Sequence, residues 1–185
     1  MIGINKMDSM RFNPYWNENS GNQITGFIHM LCTIRSINPR KQNYVEIGTY
    51  NAESTLLAAS FDFIEDIFCI DPFNIIENFT ISKKRLSHID KNIKYIQKRS
   101  QDAYSLFEDS SIDILYIDGD HSYESVKNDL KNWHPKVKFG GFICGHDYNA
   151  TSHPAVIQAV DEFVELNNLQ IDRVFCDTSF LIVNN

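Results

Sequence analysis

Short apolar runs alternate along this chain with stretches whose apolar residues recur at helical spacing. Residues 23–37 carry Ile24, Phe27, Ile28, Leu31 and Ile34, the spacing of an amphipathic helix, and Pro39 with Arg40-Lys41 closes it. The run Tyr44-Val45-Glu46-Ile47 is apolar but for one acid and reads as a strand stopped by Gly48; Ser54-Thr55-Leu56-Leu57-Ala58-Ala59 then opens a buried helix. A second strand ends on Asp71-Pro72, and residues 75–90 read as a helix with Lys83, Lys84 and Arg85 on a solvated face. Residues 93–96 form a third strand, and a short helix over 103–107 follows Ser100-Gln101-Asp102. The fourth strand, 112–117, runs into Asp118-Gly119-Asp120-His121-Ser122-Tyr123 and a helix to Trp133, with Ser122 at the N-cap and Trp133 a core anchor. Gly140-Gly141 introduces a fifth strand, 142–144, ending in Gly145-His146-Asp147-Tyr148, and Pro154 opens a helix to Leu166. Residues 171–176 and 179–183 then face each other across Asp177-Thr178 as an antiparallel hairpin.

Five alternations of strand and helix before a hairpin predict an α/β fold: a Rossmann-like, doubly wound, mostly parallel sheet with a C-terminal antiparallel hairpin. Such sheets bind ligands beyond the carboxyl ends of their strands, where the strand order reverses. Gly48, Asp71, Ser100, Asp118 and Asp147 all stand at such ends. A glycine there lets a ligand approach the backbone, and the free N–H groups of the next helix attract its polar part. The stretch from Glu46 to Ser54 is therefore a nucleotide-type pocket, with Glu46 placed to take hydroxyls or an ammonium. Asp71 lies some two dozen residues on, where nucleotide-binding sheets keep the carboxylate that holds a ribose.

Composition narrows the class. The 185 residues are 43% hydrophobic, enough for one core, so residues 23–185 are read as a single domain. Before it, residues 1–22 form a polar arm whose Phe12, Tyr15 and Trp16 surround Pro14, either covering the domain's own surface or serving as a lid. The net charge of −7 and pI near 5.3 argue against a nucleic-acid surface and for a small-molecule partner. Cys32, Cys69, Cys144 and Cys176 form no CxxC pair and are read as reduced and buried, hence a cytoplasmic protein. The start of the chain lacks a secretory pattern and no run reaches a membrane span, so a soluble, unprocessed protein is expected, with a homodimer left open.

From about Tyr44 to the end, the motifs resemble the S-adenosylmethionine-dependent class I methyltransferases, within them the small O-methyltransferases of the catechol, caffeoyl and sugar-modifying types. The segment Glu46-Ile47-Gly48-Thr49-Tyr50-Asn51-Ala52-Glu53-Ser54 resembles their cofactor loop, with Glu46, Gly48, Tyr50 and Ser54 at matching positions. Asp71 stands at the ribose acid, Ser100-Gln101-Asp102 at the segment touching adenine, and Asp118 at the first metal ligand and beside the cofactor. His146-Asp147 falls on the other two ligands. The resemblance implies S-adenosylmethionine as cofactor, a divalent metal, magnesium by its mostly oxygen ligands, and a hydroxyl acceptor such as a sugar or phenol. Five positions depart from the pattern. Ala52 replaces the loop's second glycine, which a negative φ would accommodate. Asp71 stands for a common Glu, His146-Asp147 for the catechol type's Asp-Asn, and His121 for its basic lysine.

Each of these residues also has a plain reading. Asp118 and Asp120 suit turns and helix starts, and His146 serves equally as a ligand or as a ring oriented by Asp147. His121 and His146 are the candidate bases; an unperturbed imidazole near about 6.5 has the right pKa, although His121 also fits a surface histidine at a helix start. His29, His88, His134 and His153 are read as surface or packing residues. Two rival functions remain: a metal-dependent nucleotide-sugar glycosyltransferase using Asp118-Gly119-Asp120, which leaves Glu46-Ile47-Gly48 unexplained, and a non-catalytic cofactor-binding module. An NAD-dependent oxidoreductase fits less well, because the loop lacks the glycine spacing that cradles a pyrophosphate.

Overall fold

Among residues 21–185, which this computed structural model describes, the apolar runs pair into one seven-stranded sheet. The arm expected over 1–22 falls outside them except for its last two residues, which already belong to the first helix. In chain order the elements are α1 (Gly21–Ile37), β1 (Gln42–Ile47), α2 (Glu53–Ala59), β2 (Ile64–Ile70), α3 (Ile76–Leu86), β3 (Asn92–Ile96), α4 (Ser100–Ala103), β4 (Ile112–Ile117), α5 (Tyr123–Trp133), β5 (Val137–Gly145), α6 (Pro154–Leu166), β6 (Arg173–Val174) and β7 (Phe180–Val183). The sheet order is β3-β2-β1-β4-β5-β7-β6. β1 to β5 run parallel, β7 runs antiparallel to β5, and β6 antiparallel to β7.

The central strands are buried on both faces, which is why they read as continuous apolar runs. Alternate residues separate into two cores. Tyr44, Ile114, Tyr116, Phe142 and Cys144 pack under α1 and α2 with Phe27, Met30, Leu31, Ile34 and Leu56. Val45, Ile47, Leu115, Ile117 and Ile143 pack under α5 and α6 with Leu130, Trp133, Val160 and Phe163. Each fully buried large aliphatic or aromatic side chain contributes about 1.5–3 kcal/mol. Trp133 is wholly buried at the end of α5, the anchor its position suggested.

Several elements differ from the sequence reading. Ser100-Gln101-Asp102 forms the first turn of α4, and a 3-10 turn over Tyr104–Leu106 replaces the later helix. The helix expected to Asp90 ends at Leu86, its last buried residue, and Ile89 packs on the core from a turn. Arg85 is not solvated: it bonds the carbonyl of Asn51 and lies 3.2 Å from Glu53 Oε1, bracing the cofactor-type loop. β5 is longer than expected, and β6 is reduced to two exposed residues. Ser122 sits at the N-cap of α5, but its hydroxyl bonds Ser125 rather than the helix backbone. All four cysteines are free, yet only Cys69 and Cys144 are buried. Cys32 faces outward on α1 and Cys176 sits in the turn before β7, so neither contributes to the core. Among the described residues no helix is long and apolar enough to cross a membrane.

Candidate active site

The strand order reverses between β1 and β4, and the loops leaving these two strands meet there. Gly48 has φ +88, and a Cβ on it would lie 2.1 Å from the carbonyl oxygen of Asp118, so only glycine lets the two ends approach this closely. Tyr50 and Ala52 also take left-handed conformations, at φ 47 and 58. The negative φ that would accommodate Ala52 without strain is not the one this loop adopts. The left-handed turn costs a non-glycine residue roughly 1–2 kcal/mol, and the loop is held in it from outside. Asp71 Oδ2 accepts the N–H of Tyr50 at 2.9 Å while Oδ1 accepts that of Phe73 at 2.7 Å, which ties the end of β2 to the β1 loop.

Glu46 does not reach the pocket. It shares the face of Tyr44, beneath α2, and is fully buried. Its carboxylate accepts the hydroxyls of Ser54 at 2.5 Å, Tyr44 at 3.2 Å and Thr55. Burial raises its pKa to about 7 against the lowering effect of the Ser54 and Thr55 hydrogen bonds, and the charge of Asp118 adds to the rise. The acid read from the sequence as a ligand contact is therefore a brace, touching the cavity only through Ser54. Period-two alternation puts it there.

A cavity of about 780 Å³ opens over the crevice, within the ~300–1,000 Å³ typical of small-molecule sites. Gly48, Tyr50, Ser54, Asp71, Ser100, Gln101, Asp118, His121 and His146 all line it, so most of the residues singled out in the sequence converge on one cavity. At its α4 side Ser100 is fixed from two directions. Its hydroxyl donates to Asp129 and accepts the indole N–H of Trp133 at 2.7 Å. Asp129, on α5, is nearly buried, and burial pushes its carboxyl up to about 6. Sequence reasoning missed Asp129, although its place one helical turn before Trp133 puts it on the inner face of α5.

At the opposite side, the ends of β4 and β5 bring together a cluster of acids and imidazoles. His121 Nε2 lies 2.7 Å from Asp147 Oδ2 and 3.6 Å from Asp118 Oδ1. His146 Nδ1 and His153 Nδ1 lie 3.2 and 3.3 Å from Asp147 Oδ1. Asp147 takes a left-handed φ of 61 and stands behind His121 and His146 rather than on the cavity wall. Burial alone would raise its pKa, but the hydrogen bonds and charges of His121 and His146 hold the carboxyl far below the usual range. Asp118 first, then Asp147, push the His121 imidazole up to about 10. That weighs against His121 as a base: the two neighbouring carboxylates favour its protonated form. His146 also rises, because Asp147 and the charge of Asp118 outweigh the lowering effect of burial.

His153, read as a packing residue, belongs to this cluster. The only sequence signal was its place before Pro154, six residues beyond Asp147 at a helix start. Among the described residues, two sets of three potential metal ligands share the Asp147 carboxylate: Asp118 with His146, the set implied by the motifs, and His121 with His153.

Comparison with known proteins agrees with this geometry. Residues 45–148 match the family model described as a methyltransferase domain. An uncharacterized protein, R132, of Acanthamoeba polyphaga mimivirus is 33% identical over 129 residues, 65% of this chain and 58% of that protein, so the chain spans little more than half the length of this relative. Solved structures with a similar fold include a protein from Corynebacterium glutamicum (TM-score 0.68, 14% identity, 88% of this chain and 81% of that one). Another is a putative caffeoyl-CoA O-methyltransferase from Staphylococcus aureus (TM-score 0.65, 16% identity, 84% and 82%).

Proposed function

Since the chain belongs to the methyltransferase-domain family, we propose that it moves a methyl group from S-adenosylmethionine to a hydroxyl of a small acceptor, a sugar or a phenol-like compound. The observation carrying this reading is that the Gly48 loop, Asp71, Ser100 and the Asp118–His121 strand end line a single cavity. The donor fits the residues present. Gly48 lets the ends of β1 and β4 close together beside the cavity, Asp71 offers a carboxylate to ribose hydroxyls, and Ser100 and Gln101 line the wall assigned to the base. Asp118 and the loop then hold the sulfonium end against the histidine cluster.

Methyl transfer is an in-line displacement. The acceptor oxygen bonds the methyl carbon as the carbon–sulfur bond breaks, the sulfonium leaves as a neutral thioether, and the hydroxyl proton goes to a base or to water. Holding the oxygen in line with the methyl group supplies up to roughly 7–11 kcal/mol of the barrier reduction. Residues on the rim do that holding. A divalent cation at the Asp147 carboxylate would supply Lewis-acid polarisation of the acceptor hydroxyl. The donor set fits such an ion, since in each of the two trios that share Asp147 the carboxylate oxygens and imidazole nitrogens lie within 4.8 Å of one another.

The test is calorimetry with S-adenosylhomocysteine, with and without a divalent ion, followed by methyl transfer to a panel of phenols and sugar nucleotides. Stoichiometric binding and a methylated product are expected. Binding of a nucleoside diphosphate with manganese, and none of S-adenosylhomocysteine, would transfer the site to a glycosyltransferase. Cofactor binding without turnover on any acceptor would leave a binding module.

A further inference from the structure

Three imidazoles approach one carboxylate at the end of β5, and two of them are left incomplete. His121 Nε2 and His153 Nδ1 are closed off from solvent and make no aligned hydrogen bond, although Asp147 stands 2.7 and 3.3 Å away. Their rings lie side by side, with centroids 4.9 Å apart and planes tilted by 38°. Both nitrogens stand within ion-pair distance of Asp147 without being aligned to it, and an ion that displaced the ring proton would bond all three groups at once. Two such nitrogens on facing rings, both turned to the same carboxylate, ask for a shared partner.

We propose that His121 Nε2, His153 Nδ1 and the Asp147 carboxylate form a binding site for a first-row transition-metal dication of the zinc or cobalt kind, in preference to magnesium. In a tetrahedral site with metal–ligand distances of ~2.0–2.2 Å, donors stand roughly 3.3–3.5 Å apart. The His153–Asp147 separation of 3.3 Å already matches, and the 2.7 Å pair opens by a fraction of an ångström. Two imidazoles and one carboxylate are a ligand set for zinc, cobalt, manganese or iron, whereas magnesium prefers an octahedral shell of oxygens. The other trio, Asp118 with His146 and Asp147, is richer in oxygen and carries neither of the unpartnered nitrogens. Three protein ligands leave a fourth position open, and His121 brings that position to the cavity wall. The site specifies the ion of the proposed methyltransferase, but its occupancy is measured without any methyl transfer, so the two readings fail separately.

The full chain, stripped with a chelator, is titrated with Co²⁺ while visible absorption is recorded, and with Zn²⁺ and Mg²⁺ by calorimetry. One equivalent of Co²⁺ should bind with the intense visible band of a four-coordinate site, and Zn²⁺ should bind at least ~10-fold more tightly than Mg²⁺. His153→Ala and His121→Ala should each weaken Co²⁺ binding ~10-fold or more and collapse the band. His153→Gln repeats the test with a bulkier side chain, and circular dichroism of each variant verifies its fold. Asp118→Asn should keep the band. The proposal is overturned if Co²⁺ does not bind stoichiometrically, if Mg²⁺ binds as tightly as Zn²⁺, or if Asp118→Asn abolishes the band while folded His153→Ala and His153→Gln retain it.

Discussion

Replacing Glu46 by glutamine should flatten the dependence of stability on pH. In the folded chain the Glu46 carboxyl is lifted from its ordinary 4.5 to about 7 by full burial, partly offset by the Ser54 and Thr55 hydroxyls. The folded state thus keeps its proton to about pH 7, while the unfolded chain releases it near 4.5. Between those values folding takes up a proton, so stability is greatest at the acid end and falls as pH rises through that window. At ~1.4 kcal/mol for each pH unit of displacement, the loss approaches about 3 kcal/mol. The amide introduced by Glu46→Gln mimics the neutral acid at every pH: its oxygen accepts from Ser54 and Tyr44, and its N–H group donates to the Thr55 hydroxyl as the protonated acid's O–H would. Urea unfolding of both proteins from about pH 4.5 to about pH 8 reads the difference directly. With a slope of about 2 kcal/mol/M, the wild-type midpoint should fall by about 1.5 M relative to the variant. Groups that the substitution leaves in place contribute equally to both proteins and cancel. Parallel curves, with a gap constant to within ~0.5 kcal/mol, would refute the claim that burial keeps this acid protonated.

Two other substitutions test the framework. Gly48→Ala puts a Cβ 2.1 Å from the Asp118 carbonyl oxygen at φ +88, so the strand ends must separate; S-adenosylhomocysteine affinity should drop ~100-fold, about 2.7 kcal/mol, while circular dichroism keeps the helical signal. Asp177→Ala removes a carboxylate that accepts the N–H of Phe27 at 2.5 Å and of Ser179 at 2.9 Å, and leaves a buried N–H unpaired. It should cost about 1–3 kcal/mol in thermal or urea unfolding, and an unchanged midpoint would show that α1 is held by packing alone.

The periodicities located the layers and the strand ends, because a strand buried on both faces leaves an unmistakable apolar run, as β1 and β4 do. Backbone conformation was less legible: nothing in the letters around Ala52 discloses a φ of 58, which the bond from Asp71 to Tyr50 and the ties of Arg85 to Asn51 and Glu53 help to hold. Glu46 was misassigned for a reason that parity could have exposed, since it shares its face with Tyr44 and not with the ligand. The state of His121 depends on Asp118, three residues before it, and on Asp147, which arrives from a different strand; only the first could be read within Asp118-Gly119-Asp120-His121. His153 had no chemical company in sequence and acquired it only when α6 folded back to the end of β5.

The bond from Phe27 to Asp177 joins stretches of chain that are 150 residues apart. Gly26 makes room for it, since a Cβ there would fall 1.9 Å from an Asp177 oxygen, and Ile24 and Phe27 beside it face the cavity. One wall of the ligand chamber is consequently moored to a turn that carries no chemistry of its own. Random mutagenesis selecting for altered acceptor preference should therefore return changes in the loop between β6 and β7, where loosening a single anchor retunes the chamber's shape without disturbing any group that handles the methyl donor.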